Sequence, residues 1–217
     1  MPNLKAILFD LDGTLLNTLS SLANCFNRVL AAEGYPTHPA EAYRLFIGDG
    51  ARQCVMRCLP DQVQDDKTIN HVLRLQQADY LLSWQQDVEI YSGIETLLVE
   101  LKTRGLPMAV LSNKDHAFVE RCVGHFFKSD TFVAIQGFNA SIPHKPDPAG
   151  ARRLISELGV PASETALLGD TAVDIETASA AGICSIGALW GFRDRDELEE
   201  AGANYIAKTP AEVLRIL

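Results

Sequence analysis

Leu4-Lys5-Ala6-Ile7-Leu8-Phe9-Asp10-Leu11-Asp12-Gly13-Thr14 is the stretch on which the fold of this chain turns. Leu4 to Phe9 is short and apolar, bounded by Pro2-Asn3 on one side and Asp10 on the other. That is the pattern of a buried strand. In open α/β sheets, ligands bind just outside the carboxyl ends of the strands, so the residues directly after Phe9 are the first place to look for chemistry. Asp10 and Asp12, two apart, would share one face of an extended segment while Leu11 points away. Gly13 allows a turn and close backbone approach, and Thr14 can bond the loop.

Downstream of this strand the periodicity changes. Leu19, Leu22, Phe26, Val29 and Leu30 follow helical spacing until Gly34 and Pro36 end the helix. Further helical stretches are expected near 41–46, 51–59 and 67–84, with no convincing strand among them. After Tyr91-Ser92-Gly93 the reading alternates: helix 94–104, strand 107–111, helix 115–126, strand 132–135, helix 148–158, strand 165–168, helix 172–180, strand 184–186, and helix 194–201, which ends near Tyr205. Such alternation implies a parallel sheet with helices on both faces. The expected architecture is an α/β, doubly wound (Rossmann-like) parallel sheet core with an inserted helical cap domain. Residues 1–16 and 88–217 would form the α/β core, and 17–87 the helical cap inserted after the first strand.

Composition sets the outer limits. The chain has 217 residues, 47% of them hydrophobic and 22% charged, with a formal net charge of −9. That size buries roughly 70% of the unfolded surface without a staple. An acidic chain without a Lys/Arg block argues against a nucleic-acid surface, but not against a small phosphorylated substrate, because a bound divalent cation reverses the local sign. Cys25, Cys54, Cys58, Cys122 and Cys184 lack C-x-x-C spacing. Cys54 and Cys58 lie one helical turn apart with no His or third Cys to complete a zinc site, so buried thiols in a reducing compartment are expected. No run approaches the ~18 apolar residues of a membrane span, and a cytoplasmic protein without a membrane partner is the default expectation.

Polar groups recur at each strand end. Ser112-Asn113-Lys114 follow the second core strand, His144-Lys145-Pro146-Asp147-Pro148 the third, and Gly169-Asp170-Thr171-Ala172-Val173-Asp174 the fourth. A purely structural core has no reason to concentrate such groups at one rim. Two carboxylates as close as Asp10 and Asp12 need a cation or a shared proton. Mg²⁺ suits them, since it takes hard oxygen ligands and is bound through one or two carboxylates plus substrate phosphate. Asp170 can supply a further ligand, and Asp174, one helical turn on, could hold a metal water or the Lys145 ammonium. A carboxylate beside a metal-bound phosphate can act as nucleophile, with the second carboxylate free to move protons. The Ser112 hydroxyl, the Asn113 N–H and Lys145 suit the equatorial phosphate oxygens.

These residues, in this order, resemble the haloacid dehalogenase superfamily. Asp10-Leu11-Asp12-Gly13-Thr14 is similar to its first motif, Ser112 to its second, Lys145-Pro146 to its third and Gly169-Asp170…Asp174 to its fourth. The helical block resembles that family's cap. Leu189-Trp190-Gly191-Phe192-Arg193, Ala201-Gly202-Ala203 with Asn204-Tyr205, and Ile47-Gly48-Asp49-Gly50 resemble its phosphoglycolate phosphatase branch. The resemblance implies a Mg²⁺-dependent phosphoric monoester hydrolase acting on a small phosphorylated metabolite. Asp10 would be nucleophile and metal ligand, and Asp12 the general acid/base whose backbone carbonyl also binds the metal. Asp170 would be a ligand and Asp174 would assist. Thr14, Ser112, Asn113 and Lys145 are the candidate substrate-binding residues of the core, and Arg52 could reach the substrate from the cap. Family members that are dehalogenases lack the second Asp, so Asp12 argues against that activity. Phosphonatases also depart at that position and use a cap lysine, and this cap has only Lys67.

Sugar-phosphate mutase and pyrophosphatase outcomes share the same motif residues. A phospho-acceptor signalling module is the non-enzymatic alternative, but it would need no cap, and Asp12 is placed to hydrolyse the phosphoryl group it must keep. The sequence leaves monomer and homodimer open.

Overall fold

The computed structural model describes residues 3–217 and divides into two compact units. One comprises the chain up to Leu16 together with Ile90–Leu217, the other Asn17–Glu89. No helix among the described residues is long and apolar enough to cross a membrane.

The first unit is built on six parallel strands. β1 (Ala6–Phe9) pairs with β4 (Met108–Asp115) on one side and β6 (Thr165–Gly169) on the other, with Ile7 opposite Met108 and Ala6 opposite Thr165. β5 (Ala134–Phe138) extends the sheet beyond β4. β7 (Cys184–Ala188) and β8 (Tyr205–Ala207) extend it beyond β6, giving the order β5-β4-β1-β6-β7-β8. Every residue of β1 is buried, as an apolar run covered on both faces must be.

The chain steps outward from β1 to β4 and β5, then returns to β6 and steps outward the other way. Right-handed crossovers therefore place the connecting helices on opposite faces. One face carries α7 (Ala149–Leu158) and α8 (Ala172–Ala181), whose Ala151, Leu154 and Ala178 pack on Leu8, Ala109, Leu111 and Leu167. The other carries α5 (Ile94–Thr103) and α6 (His116–Phe126). Phe9 of β1 meets the ring of Phe132, in the segment before β5, edge-on at 6.1 Å, and Phe127, just after α6, meets it edge-on at 5.5 Å. α9 (Arg195–Glu200) follows β7, and α10 (Pro210–Ile216) packs on α5.

The second unit is helical, with α1 (Leu19–Ala32), α2 (Tyr43–Phe46), α3 (Ala51–Cys58) and α4 (Asp66–Ser83). Leu22, Phe26, Val29 and Leu30 of α1 are buried, as their spacing requires. Arg28 reaches across to α4 with Nε 3.0 Å from Asp79 Oδ1. Tyr43 stacks on Phe26 and donates to Asn27 Oδ1. These helices form the cap. β2 (Leu16–Asn17) and β3 (Glu89–Ile90) pair as a two-stranded ribbon where the chain passes between the units.

The strand and helix assignments read from the sequence hold in kind, with four differences. β5 runs from Ala134 to Phe138 rather than over 132–135. β4 continues beyond Leu111 to Asp115 through an irregularity in its pairing with β5. The chain end adds β8 and α10, where the sequence reading stopped near Tyr205. The ribbon strands are two residues each, too short to show an alternation.

Candidate active site

The site begins where β1 ends. Asp10 N–H donates to Leu168 O at 2.9 Å, tying the strand end to β6. The chain then turns rather than extends: the Leu11 carbonyl accepts from Leu15 N at 3.0 Å and Leu16 N at 2.9 Å, with Leu11 itself fully buried. Because of this turn, Asp10 and Asp12 do not deliver their carboxylates to one point, as an extended segment would. The Asp12 carboxylate is instead held by Lys114, whose Nζ lies 2.8 Å from Oδ1 and 2.7 Å from Oδ2.

Asp10, Asp170 and Asp174 do converge. They are buried, and one carboxylate oxygen from each lies within 4.8 Å of the others. Among the described residues no other group of His, Cys, Asp and Glu has this geometry. Asp12 contributes no side-chain oxygen to it, which leaves its backbone carbonyl as the donor that the family resemblance assigns. Asp170 sits at the end of β6, with Oδ1 accepting from the Thr14 hydroxyl at 3.1 Å and Oδ2 from Phe192 N at 2.7 Å. Asp174, in the first turn of α8, turns Oδ2 back to accept from Thr171 N and Oγ1 at 3.1 and 2.9 Å. Its Oδ1 faces Lys145.

Lys145 is almost completely enclosed. Its Nζ lies 2.6 Å from Asp174 Oδ1 and 2.8 Å from Asp10 Oδ1, and donates to Leu111 O at 3.3 Å. The Lys145–Asp10 contact is an ion pair without hydrogen-bond alignment, so Asp10 Oδ1 is a buried oxygen lacking an aligned donor. Asn113 grips the Lys145 backbone from both sides, with Oδ1 accepting from Lys145 N at 2.7 Å and Nδ2 donating to Lys145 O at 3.2 Å. His144 stacks on Phe138 with ring centroids 3.7 Å apart, anchoring the same loop. The Ser112 hydroxyl oxygen accepts from Lys114 N at 3.2 Å.

The electrostatics follow from burial. Three enclosed carboxylates share one enclosed ammonium. Desolvation pushes the Asp10 carboxyl up to about 7, despite Lys145 pulling it down, and the neighbouring Asp174 and Asp12 charges add to the rise. Desolvation also drives Asp170 well above the usual carboxylate range, with Asp10 and Asp174 reinforcing it. Burial works against the Lys145 ammonium, but Asp10 and Asp174 outweigh it and shift that group upward. The cluster is short of positive charge. Its donors are hard oxygens, one of them lacking an aligned partner, and a divalent cation such as Mg²⁺ fits that set.

Arg52 lies within the cap, its guanidinium paired with Asp66 and donating to Met56 Sδ at 3.2 Å. Thr14 spends its hydroxyl on Asp170. Sequence reasoning missed Lys114, because a lysine after Ser-Asn carries no signal until its partner, 102 residues away, is known. The Trp190 indole Nε1 donates to Thr14 O at 2.9 Å, a contact that ties the loop after β7 to the turn after β1.

A parallel α/β core with an aspartate cluster at its strand ends and a helical cap defines a cap-bearing phosphatase. Comparison with known proteins gives the same result. A family model described as haloacid dehalogenase-like hydrolase matches residues 7–188. The phosphoglycolate phosphatase of Vibrio parahaemolyticus is 29% identical over 220 aligned residues, covering 99% of this chain and 96% of that protein. That of Pseudomonas syringae pv. tomato is 32% identical, over 87% of this chain and 70% of its own length. A crystal structure from Lactobacillus delbrueckii subsp. bulgaricus, provisionally named a phosphoglycolate phosphatase, superposes with a TM-score of 0.94 at 27% identity. It covers 100% of this chain and 98% of that one. The chain belongs to the haloacid dehalogenase-like hydrolases.

Proposed function

We propose that this protein hydrolyses a small phosphomonoester with Mg²⁺, through a phosphoryl group carried on Asp10, and that 2-phosphoglycolate is its leading substrate. The observation that carries the reading is the meeting of Asp10, Asp170 and Asp174 with Lys145 at one rim of the sheet. The substrate rests on the two phosphoglycolate phosphatases reported above, which align over most of this chain.

Asp10, Asp170, Asp174 and the Asp12 carbonyl would hold the cation, which when bound offsets the charge of the carboxylates and of the phosphate. Asp10 attacks phosphorus as its ester bond to the leaving oxygen breaks, and Asp12 delivers a proton to that oxygen. Asp12 then takes a proton from the water that attacks the phosphoryl group, releasing phosphate and restoring Asp10. Lys145, the Ser112 hydroxyl and the Asn113 backbone N–H would bind the equatorial oxygens, where positioned donors act most strongly. Thr14 serves by orienting Asp170. Arg52 remains a candidate for a substrate group only if it gives up Asp66.

The test is phosphate release over a panel of phosphorylated metabolites, with Mg²⁺ and after chelation, and with isomerised products assayed alongside. Turnover that depends on Mg²⁺, is highest for 2-phosphoglycolate and is absent in Asp10→Asn supports the reading. Full activity in stripped protein overturns the metal role. An isomerised sugar phosphate would point to a mutase, and a lasting phosphoprotein without turnover to a signalling module.

A further inference from the structure

Four carboxylates crowd the strand ends, and two lysines pair with three of them. Lys145 serves Asp10 and Asp174. Lys114 serves Asp12, reaching both of its oxygens. The two partners are little exposed, the Lys114 side chain at 8% and that of Asp12 at 12%. A contact with both oxygens at this depth fixes the direction in which the carboxylate points and compensates its charge. It holds the Asp12 carboxylate where the turn after β1 has carried it, apart from the three carboxylates that cluster. Lys114 comes to this place by the irregular continuation of β4 past Leu111, with its own N–H donated to Ser112 Oγ. One short segment thus aims Ser112, Asn113 and Lys114 at three different parts of the site.

We propose that Lys114 is a positioning residue for Asp12: it holds the Asp12 carboxylate in the orientation from which it accepts the proton of the attacking water. The inference rests on the role given to Asp12 in the proposed function. In this role Lys114 acts through Asp12 and not on the substrate or phosphorus directly. Its effect falls on the breakdown of the phosphorylated enzyme, since that half of the reaction needs Asp12 as a carboxylate. Loss of a supporting contact that shifts a reacting group by about 1 Å costs on the order of 10²-fold in rate.

The test compares the wild-type protein, Lys114→Met, Lys114→Arg and Asp12→Ala in the full chain with Mg²⁺ and 2-phosphoglycolate, together with the best substrate of the panel. Steady-state kcat and KM are read together with phosphoenzyme trapped by acid quench. Lys114→Met should lower kcat by about 10- to 100-fold, lower KM in step so that kcat/KM changes by less than about 3-fold, and accumulate phosphoenzyme, as Asp12→Ala does more strongly. Lys114→Arg, which can grip both oxygens, should recover much of the loss. Three results overturn the inference. One is a rise in KM with kcat intact, which would make Lys114 a substrate contact. Another is unchanged phosphoenzyme breakdown in Lys114→Met. The third is a fall in activity that only tracks the fraction of protein folded. Failure of the underlying reading looks different, because then the wild-type protein itself forms no phosphoenzyme or Asp12→Ala turns over normally.

Discussion

Gly13 lies so close to Asp170 that a Cβ built on it would stand 2.2 Å from the Asp170 Oδ2 atom. The same glycine holds φ at +89°, a conformation that side chains rarely adopt. Gly191 crowds the same residue, where a Cβ would meet the Asp170 Cβ at 2.2 Å and the Gly13 carbonyl oxygen at 2.5 Å. Two glycines thus make the slot in which this carboxylate sits. Gly13→Ala should destabilise the protein by about 1–3 kcal/mol through backbone strain alone. It should also weaken Mg²⁺ binding by moving Asp170. Urea denaturation and a Mg²⁺ titration followed by calorimetry check the two effects separately.

Desolvation lifts Asp10 from the ordinary carboxylate value of 3.8 to about 7 in the metal-free site. A raised carboxyl means that the folded state keeps a proton which the unfolded state has lost, so stability falls as pH rises. The contribution is fully present below about pH 4 and is lost as pH climbs through about 7. Metal-free wild-type protein should therefore lose stability across this window relative to Asp10→Asn, which cannot titrate there. Mg²⁺ should reverse the trend, because the cation competes with that proton and binds more tightly as pH rises. Denaturation midpoints of both proteins across pH, with and without Mg²⁺, decide the matter.

Asn113 holds the backbone of Lys145 by two hydrogen bonds of 2.7 and 3.2 Å, both buried. Asn113→Ala removes both and leaves the Lys145 N–H and C=O without these partners, at a cost of about 1–3 kcal/mol for each buried group left unpaired. The Lys145 loop should loosen while the three aspartates keep their places. A drop in kcat of roughly 10- to 100-fold with a Mg²⁺ affinity little changed is expected. Stopped-time phosphate release and a metal titration on the same preparation would show the split.

The groups that could be read from sequence were those whose meaning is local. An apolar run followed by Asp10-Leu11-Asp12-Gly13-Thr14 announces a buried strand and a polar rim within eleven residues. Asp170 and Asp174 likewise follow a strand and open a helix. What escaped depends on pairings set only by the fold. Lys114 acquires its role from Asp12, Thr14 turns from the loop to Asp170, and the Asp10–Asp12 divergence follows from the turn that gathers Leu15 and Leu16 onto the Leu11 carbonyl. The last helix, α10, differs in that its signal is local. Thr209-Pro210 is a helix start with Pro at the first position, set directly after a strand of three residues, β8, too short to show an alternation of its own.

Lys145 gives the sharpest separation between stability and catalysis. Its ammonium, 6% exposed as a residue, is the cation between Asp10 and Asp174. Removing one member of a buried ion pair leaves the remaining charges uncompensated, which costs roughly 3–5 kcal/mol. Lys145→Met keeps much of the side chain's volume, so the metal-free variant should be destabilised by about that amount through charge rather than packing. The same change makes the aspartate cluster more negative and so a better cation site. Mg²⁺ should then stabilise the variant by more than it stabilises the wild type, the gain growing with the logarithm of its concentration over Kd. Turnover should not return with stability, because the ammonium is also the donor for the phosphoryl oxygens, and losing such a donor costs about 10²–10³ in kcat. Thermal melts against Mg²⁺ concentration and phosphate release at saturating Mg²⁺ give the two readings. A variant whose activity recovers in step with its Tm would show that Lys145 only balances the charge of Asp10 and Asp174.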